Sequence, residues 1–334
     1  MPRSATFTCD DPIPWQEAVR AGEVALSITA RGNFRASLLR IDLHNLWMQS
    51  GWENLPRVIQ AAVSQKRTGI QFLADARQPA LQLTSLDLHK GAIVALPPGS
   101  LYHIRSQNPC HWAAMSLTPE TLSVASHALL GRDLTARSDI HFVHPDPAHI
   151  TRLMLLHAAA RQLAIAAPDT IAHPEVASAL EHQLVHAMVT CLVGDAPITA
   201  GSGWRQHTAI VNRFEDVLAA NYDRPIYLAE ICAAAGASER MLRNSCEEHL
   251  GMGPIRYLWL RRMHLARRAL LRADPTKATV TQISMDHGFW ELGRFSVAYQ
   301  ALFGETPSAS LRKPSDHHRV IQADPLSVAP PEFA

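Results

Sequence analysis

A segment in the C-terminal third of the chain repeats itself, and this repeat restricts the possible folds more than any other feature of the sequence. Gly236 recurs as Gly288 with a spacing of 52 residues, and Pro254 recurs as Pro307 with a spacing of 53. Each copy has a short segment with apolar residues at helical spacing, a glycine, a second such segment and a Gly-x-x-Pro step. This order is typical of a helix-turn-helix unit. Residues 228–311 are therefore predicted to contain two such units.

The second helix of the first copy carries residue types that read DNA bases. Ser238 is a good N-cap for this helix, and Leu242 falls on its buried face. Arg240, Arg243 and Asn244 then point outward. Arginine donates two hydrogen bonds to guanine, and asparagine pairs with adenine in the same way. We predict that these three residues contact bases in the major groove.

The second copy has a less polar outward face. Phe295 and Tyr299 supply its buried stripe. The residues predicted to point outward are Leu292, Gly293, Arg294, Ser296 and Val297. Only Arg294 among them is an obvious base reader, so this unit is predicted to depend more on phosphate contacts or on DNA shape.

The segment between the copies is predicted to be one long helix that begins at Pro254, because proline is favoured at the first helical position. About 18 residues would span roughly 27 Å. Such a rod can hold two recognition helices near one turn of DNA apart, about 34 Å. The arginines of this helix suit either phosphate contacts or a solvated face. Arg261 and Arg262, with Thr306 in the second Gly-x-x-Pro step, are the predicted phosphate contacts.

Residues 205–313 resemble the DNA-binding region of the AraC/XylS transcription regulators. The resemblance is carried by Gly288 and Phe289, by the pair Tyr299 and Phe303, and by the sequence FGETPS at 303–308. It implies a seven-helix unit with two helix-turn-helix subdomains joined by a long helix, and base contacts at the outward residues named above. It also implies double-stranded promoter or operator DNA as a partner, a homodimer, and contact with RNA polymerase if the protein is an activator.

A narrower resemblance is to the branch that contains the ethanolamine-utilisation regulators. It is carried by the run 288–295, by Leu26-Ser-Ile28-Thr and by the Gly-x-Ile-x-x-x-Pro-x-Gly pattern at 91–99. The sensor of that branch responds to ethanolamine together with cobalamin. Close DNA-binding regions often accompany different effectors, so this effector is not carried over. We predict no cofactor for this chain.

Charge and cysteine content limit the functional classes. The formal net charge of +1 excludes a polybasic, histone-like binder, yet residues 205–313 carry 15 Lys and Arg against 11 Asp and Glu. A mildly basic region is what a DNA reader needs. The five cysteines form no Cys-x-x-Cys pair and are expected to be reduced thiols. With no apolar stretch of membrane-spanning length and no signal-peptide core near the N-terminus, we expect a cytoplasmic protein without a membrane partner.

Residues 1–145 are predicted to form a cupin-like β-barrel that senses a small-molecule effector of unknown identity. Short apolar segments separated by Gly, Pro and polar residues are typical of such β-rich folds. The mouth of a barrel is a common small-molecule site. The candidate pocket residues are Trp47, Trp52, Phe72, Tyr102, His103 and Trp112, which could equally be core. The H-x-H and glutamate that would complete a cupin metal site with His103 are missing, so no metal is predicted.

The fold class is therefore α+β, with a barrel and following helices before an all-α DNA-binding domain. We predict helices at 146–193 with a role in dimerisation, a linker at 194–204, the double helix-turn-helix domain at 205–313 and a flexible tail at 314–334. The predicted function is a ligand-responsive, sequence-specific DNA-binding transcriptional regulator and not an enzyme. Two alternatives stay open: a metal-dependent cupin-type enzyme fused to a DNA-binding module, and a non-specific structural DNA binder.

Overall fold

The β-rich N-terminal region contains two antiparallel sheets. The computed structural model describes residues 2–75, 77–135, 137–193, 202–221 and 226–313, with the backbone of 321–322. The strands of the larger sheet are, in spatial order, β12 (His141–Val143), β9 (Ile93–Leu96), β6 (Thr68–Leu73), β11 (Cys110–Leu117), β4 (Trp47–Glu53), β3 (Ala36–Asp42), β1 (Arg3–Cys9) and β13 (Ile321–Gln322). The strands of the smaller sheet are β2 (Glu23–Ile28), β5 (Arg57–Ala62), β10 (Leu101–Ser106), β7 (Leu81–Leu83) and β8 (Leu86–Leu88).

Both faces of the larger sheet are buried. On strand β11, Trp112 belongs to the core between the two sheets, whereas Ala113 and Met115 belong to a second core on the opposite face. Successive side chains of a strand point to opposite faces, so a strand covered on both sides needs apolar residues throughout. Trp112 is paired across the sheet with Gly51, where any Cβ would overlap the indole ring. The glycine thus makes room for the tryptophan.

Helices cover the outer face of the larger sheet. The helices of this region are α1 (Pro12–Ala18), α2 (Pro119–Leu130), α3 (Pro147–Ala166), α4 (Pro168–Ala172) and α5 (Pro174–Cys191). Leu153 of α3 and Met188 of α5 are fully buried in one core with Ile70 and Phe72 of the sheet. The predicted helical character of the stretch after residue 145 is therefore present in the fold.

The C-terminal region is helical. Its helices are α6 (Ser202–Ala220), α7 (Leu228–Ala235), α8 (Glu239–Leu250), α9 (Pro254–Arg272), α10 (Val280–Asp286), α11 (Leu292–Phe303) and α12 (Pro307–Arg312). They form two cores, and α9 contributes to both. Tyr257 packs in the first core with Phe214, and Met263 packs in the second with Tyr299. The long helix therefore ties two small helical units together through its own buried residues.

The predicted mixed α+β fold, β-rich before and helical after, is confirmed, but a closed cupin-like barrel is not. The described strands form two separate sheets, and helices α3 and α5 pack on the outside of the larger one. The predicted linker lies outside the described residues except at 202–204, which belong to α6, and the predicted tail lies outside them except at 321–322. No helix in the described ranges has the length and apolar character to cross a membrane.

Candidate nucleic-acid interface

The first helix-turn-helix unit consists of α7, a tight turn and α8. Ile231 and Ala235 are fully buried on α7, which ends at Gly236 in the left-handed conformation (φ 62°). Glycine adopts this conformation without steric cost. Ser238 then caps α8, where its side chain accepts a hydrogen bond from the backbone N–H of Met241 at 3.2 Å. The local sequence thus sets the angle at which α8 leaves the turn.

The outward face of α8 carries the three predicted base readers. Arg240, Arg243 and Asn244 are all exposed, while Leu242 on the same helix is fully buried. Arg243 forms an ion pair with Glu239 at 3.2 Å, but both side chains are more than half exposed. An exposed pair of this kind is worth little in water. The guanidinium can therefore exchange this partner for a base edge or a phosphate.

The second unit repeats this geometry with a different surface. Gly288 forms the turn (φ 78°), and Phe295 and Tyr299 of α11 are buried. Gly293, Arg294 and Val297 are exposed, whereas Leu292 and Ser296 are half-buried. Three of the five residues predicted to point outward are thus exposed and two are half-buried, and Arg294 is the only charged residue among them.

Trp290 is a candidate contact residue that sequence reasoning missed. Its side chain is 64% exposed just before α11, and Val297 on that helix is 72% exposed. Large apolar side chains on a surface that faces DNA suit the methyl group of thymine. Trp290 precedes α11, so it is not among the outward positions that helical spacing predicts. A tryptophan two residues after the turn glycine Gly288 was the sequence signal that could have identified this contact residue.

The predicted phosphate contacts occupy three different settings. Arg261 points into the molecule and forms an ion pair with the buried carboxylate of Glu215. Arg262 lies beside the Gly288 turn, and burial lowers the pKa of its guanidinium. Thr306 is exposed at the N-terminus of α12, where its side chain accepts from the N–H of Ala309 at 3.2 Å. Arg261 thus forms its ion pair inside the protein with Glu215, and Thr306 caps helix α12.

Glu215 is the centre of a buried polar contact between the helical region and the smaller sheet. The Tyr257 hydroxyl donates to Glu215 at 2.5 Å, and Nε2 of His103 lies 3.3 Å from the same carboxylate oxygen. Burial opposes ionisation of Glu215, but hydrogen bonds from His103 and Tyr257 and the charge of Arg261 outweigh it and lower the pKa of the carboxyl. His103, predicted as a pocket residue, therefore faces helix α6.

Two further contacts join the long helix α9 to the N-terminal region. Arg267, 7% exposed, donates to Asp11 at 2.5 Å and to Glu305 at 3.3 Å. The backbone N–H of Ile28 donates to Nε2 of His264 at 3.0 Å. Together with Arg261, these residues follow one another three positions apart along one side of α9. The β-rich region thus contacts the middle of this helix directly at His264 and Arg267, whereas Arg261 reaches it only through Glu215 and His103.

The six residues predicted to line an effector pocket do not lie around one cavity. Phe72 is in the core beneath α3 and α5, whereas Tyr102 and Trp112 are in the core between the sheets. Trp47 and Tyr102 line a small cleft of about 70 Å³, where the Arg67 guanidinium lies 3.8 Å from the Trp47 ring. Trp52 is half-buried on β4. Most of these side chains therefore stabilise the fold. In the described ranges, no group of three or more His, Cys, Asp or Glu is arranged to hold a metal ion.

A known domain family matches the helical region, and several known proteins match parts of the chain. A family described as "Helix-turn-helix domain" matches residues 231–313. Over 133 residues the chain is 35% identical to the probable thc operon regulatory protein of Rhodococcus erythropolis, a match that covers 37% of this chain and 40% of that protein. Over 93 residues it is 37% identical to the XylDLEGF operon transcriptional activator of Pseudomonas putida, covering 28% of this chain and 29% of that protein.

The chain thus spans less than half the length of these two curated relatives. A solved structure, a probable AraC family transcriptional regulator from Rhodopseudomonas palustris, is 32% identical with a TM-score of 0.29, and the match covers 31% of this chain and 94% of that one. The matched stretch of this chain is a helix-turn-helix domain similar to those of AraC-family operon regulators.

Proposed function

We propose that, with this helix-turn-helix domain as its DNA reader, the chain is a sequence-specific transcriptional regulator controlled by a small-molecule effector. The observation that carries the proposal is the pair of exposed recognition helices α8 and α11, joined by the single helix α9. The 19 residues of α9 span roughly 28 Å. That length suits two major-groove contacts about 34 Å apart on one side of the duplex.

The two recognition helices have unequal roles in this proposal. Arg240, Arg243 and Asn244 on α8 read bases by paired hydrogen bonds. On α11, Arg294 is the polar reader, and Val297 with Trp290 offers apolar surface to thymine methyl groups. We expect the half-site under α8 to tolerate base changes less than the half-site under α11.

The organisation of the chain follows from the same proposal. Residues 1–145 form the effector-sensing region, 146–193 contribute to a homodimer, 194–204 link to the DNA reader at 205–313, and 314–334 form a tail. Exposed apolar side chains at Val124 and Leu155 support a self-association surface on the N-terminal helices.

If the regulator is an activator, RNA polymerase is a further partner. A DNA reader acts where the DNA is, which supports a cytoplasmic location. A place in the ethanolamine-utilisation branch stays a prediction.

The test is a binding isotherm of the full-length protein on DNA upstream of its own and neighbouring genes, at about 50 and about 200 mM salt. We expect affinity for one site to exceed that for unrelated DNA by about a thousandfold or more. Arg243→Ala and Arg294→Ala should each weaken that site by about 1–3 kcal/mol and relax selectivity at one base position. The control is Arg77→Ala, an exposed arginine of the N-terminal region.

Each outcome has a definite meaning. An equal loss on all sequences would make the substituted arginine a phosphate contact and not a base reader. Equal affinity of the unchanged protein for unrelated DNA would reject a regulator in favour of a structural DNA binder.

A further inference from the structure

A second cavity lies on the outer face of the larger sheet, away from the core between the sheets. Its volume is about 460 Å³, within the usual size range of small-molecule sites. Leu122 of α2, Val143 of β12 and Met188 of α5 form much of its wall. All three side chains are buried in the core that joins the sheet to the helices. These side chains therefore fix the base of the cavity, and Leu134 and Leu192 present partly exposed apolar surface to it.

The rim of the same cavity is cationic. Arg132 and Arg137 line it from the loop that follows α2. Arg132 forms no ion pair with any acidic residue in the described part of the chain, and Arg137 lies 4.0 Å from its nearest carboxylate, Asp139. The one carboxylate in the lining, Asp133, already accepts hydrogen bonds from Ser123 and from the backbone and hydroxyl of Thr135. Two guanidinium groups are thus left to face a ligand.

An apolar floor with two arginines at the mouth selects one chemical class. Apolar surface removed from water stabilises a complex by roughly 25 cal/mol per Å², and guanidinium groups pair with carboxylate or phosphate oxygens through charge-assisted hydrogen bonds. We propose that this cavity binds a small amphipathic anion. The apolar body lies against Leu134 and Leu192, which are partly exposed in the lining, and the anionic head pairs with Arg132 and Arg137.

The position of the cavity connects it to the DNA reader, and this step rests on the proposed function. Met188, Leu192 and Val193 lie in and just after the last turn of α5, and the chain continues from there toward α6. A ligand that packs on this turn contacts the place where the N-terminal region leads into the helical region. Occupancy of the cavity therefore changes the DNA affinity of α8 and α11.

The test measures binding to the full-length protein by calorimetry. Four probes distinguish the contribution of the apolar body of the ligand from that of its anionic head. Octanoate and octyl phosphate carry both parts, octanol lacks the charge, and acetate lacks the apolar body. We expect at least one of the two anionic amphiphiles to bind more than tenfold tighter than octanol and acetate. The head that binds more tightly identifies the natural group as a carboxylate or a phosphate. Equal binding of octanol and the anions, or binding of neither anion, would overturn the proposal.

Three variants locate the site. Arg132→Gln and Arg137→Gln should each weaken the anion by about tenfold, because each removes one charge-assisted contact. Leu192→Trp should block binding by filling the cavity without removing a charge. Arg77→Gln, at an exposed site on another loop, is the matched control. Circular dichroism and the melting temperature of each variant confirm folding. Loss of binding in the control, or unchanged binding in all three variants, would show that the ligand binds elsewhere.

The regulatory step has its own readout. Adding the bound probe should change the affinity for the specific DNA site at least threefold in the unchanged protein and leave it unchanged in Leu192→Trp. A probe that binds in calorimetry without changing DNA affinity would reject the regulatory step alone. Binding of the probe by a protein that has no specific DNA site would reject the proposed function and leave the ligand site intact.

Discussion

At the scale of single residues, several histidines are buried as neutral rings. Nε2 of His157 lies 3.3 Å from the backbone carbonyl of Gln49, and its ring meets Phe72 edge-on at 5.3 Å between centroids. Burial lowers the pKa of His157 to about 4, and burial also lowers that of His264 to about 4. These rings fill space in the core and in the contact with α9 and do not act as cations near neutral pH.

This arrangement predicts a stability that depends on pH. A histidine in the unfolded chain has a pKa near 6.5, so only the unfolded chain takes up the proton as the pH falls from about 6.5 towards 4. The free energy of unfolding should therefore be highest above pH 6.5 and should decrease through that interval. Urea unfolding at pH 7 and pH 5 measures the difference, and His157→Gln should make it smaller.

The exposed His89→Gln is the control for this experiment. A free energy of unfolding that rises as the pH is lowered from 7 to 5 would contradict the assignment of His157 and His264 as neutral buried rings.

At the scale of secondary-structure elements, the helix-turn-helix units were predictable because their signals are local. The apolar spacing of α7, the turn glycine and the Ser238 cap all lie within about a dozen residues of α8. Strand β5 begins with a charged residue, Arg57, which a reading of the apolar pattern places at the surface. In the structure that arginine is fully buried and lies 2.6 Å from the buried carboxylate of Glu53. Glu53 and Arg57 are only four positions apart, but β4 and β5 belong to different sheets, so the local sequence does not show that both side chains are buried.

The two turn glycines of the first unit predict a graded effect. Gly236 and Gly251 both have positive φ, 62° and 72°. A Cβ at Gly236 would meet only the tip of Arg213, at 3.9 Å, whereas a Cβ at Gly251 would overlap the guanidinium of Arg105 on β10. Gly236→Ala should lower the free energy of unfolding by about 1–2 kcal/mol, from backbone strain. Gly251→Ala should lower the free energy of unfolding further, because the Arg105 side chain must also move away.

The same substitutions in a protein that lacks the Arg105 side chain measure the cost of displacing that side chain. In an Arg105→Ala protein, the effect of Gly251→Ala should fall to that of Gly236→Ala, as measured by urea unfolding. Equal effects of the two glycine substitutions in the unchanged protein would show that Arg105 moves aside without cost.

At the scale of the whole molecule, the contact between the β-rich and helical regions could not be predicted from the sequence. Arg267 and Asp11 are 256 residues apart, and His264 and Ile28 are 236 apart. No periodicity or short motif relates positions so distant. The same limit explains His103, which was predicted to be either a pocket residue or a core residue. Its true neighbour, Glu215, belongs to a helix of the other region.

Glu215 therefore provides the test of how the two regions are coupled. Glu215 is 1% exposed, and its carboxylate contacts His103, Tyr257 and Arg261. Glu215→Ala leaves a partly exposed arginine and a buried hydroxyl without their acceptor, and the loss should approach the roughly 3–5 kcal/mol that is typical for breaking a fully buried pair. Because the contact joins two regions whose cores are separate except for Val58 of β5, the unchanged protein should melt in one calorimetric transition and the variant in two. Glu239→Ala removes an exposed carboxylate of α8 and should keep a single transition. Two transitions already in the unchanged protein would show that the β-rich region and α9 unfold independently, and that this contact does not couple the β-rich region to the helical region.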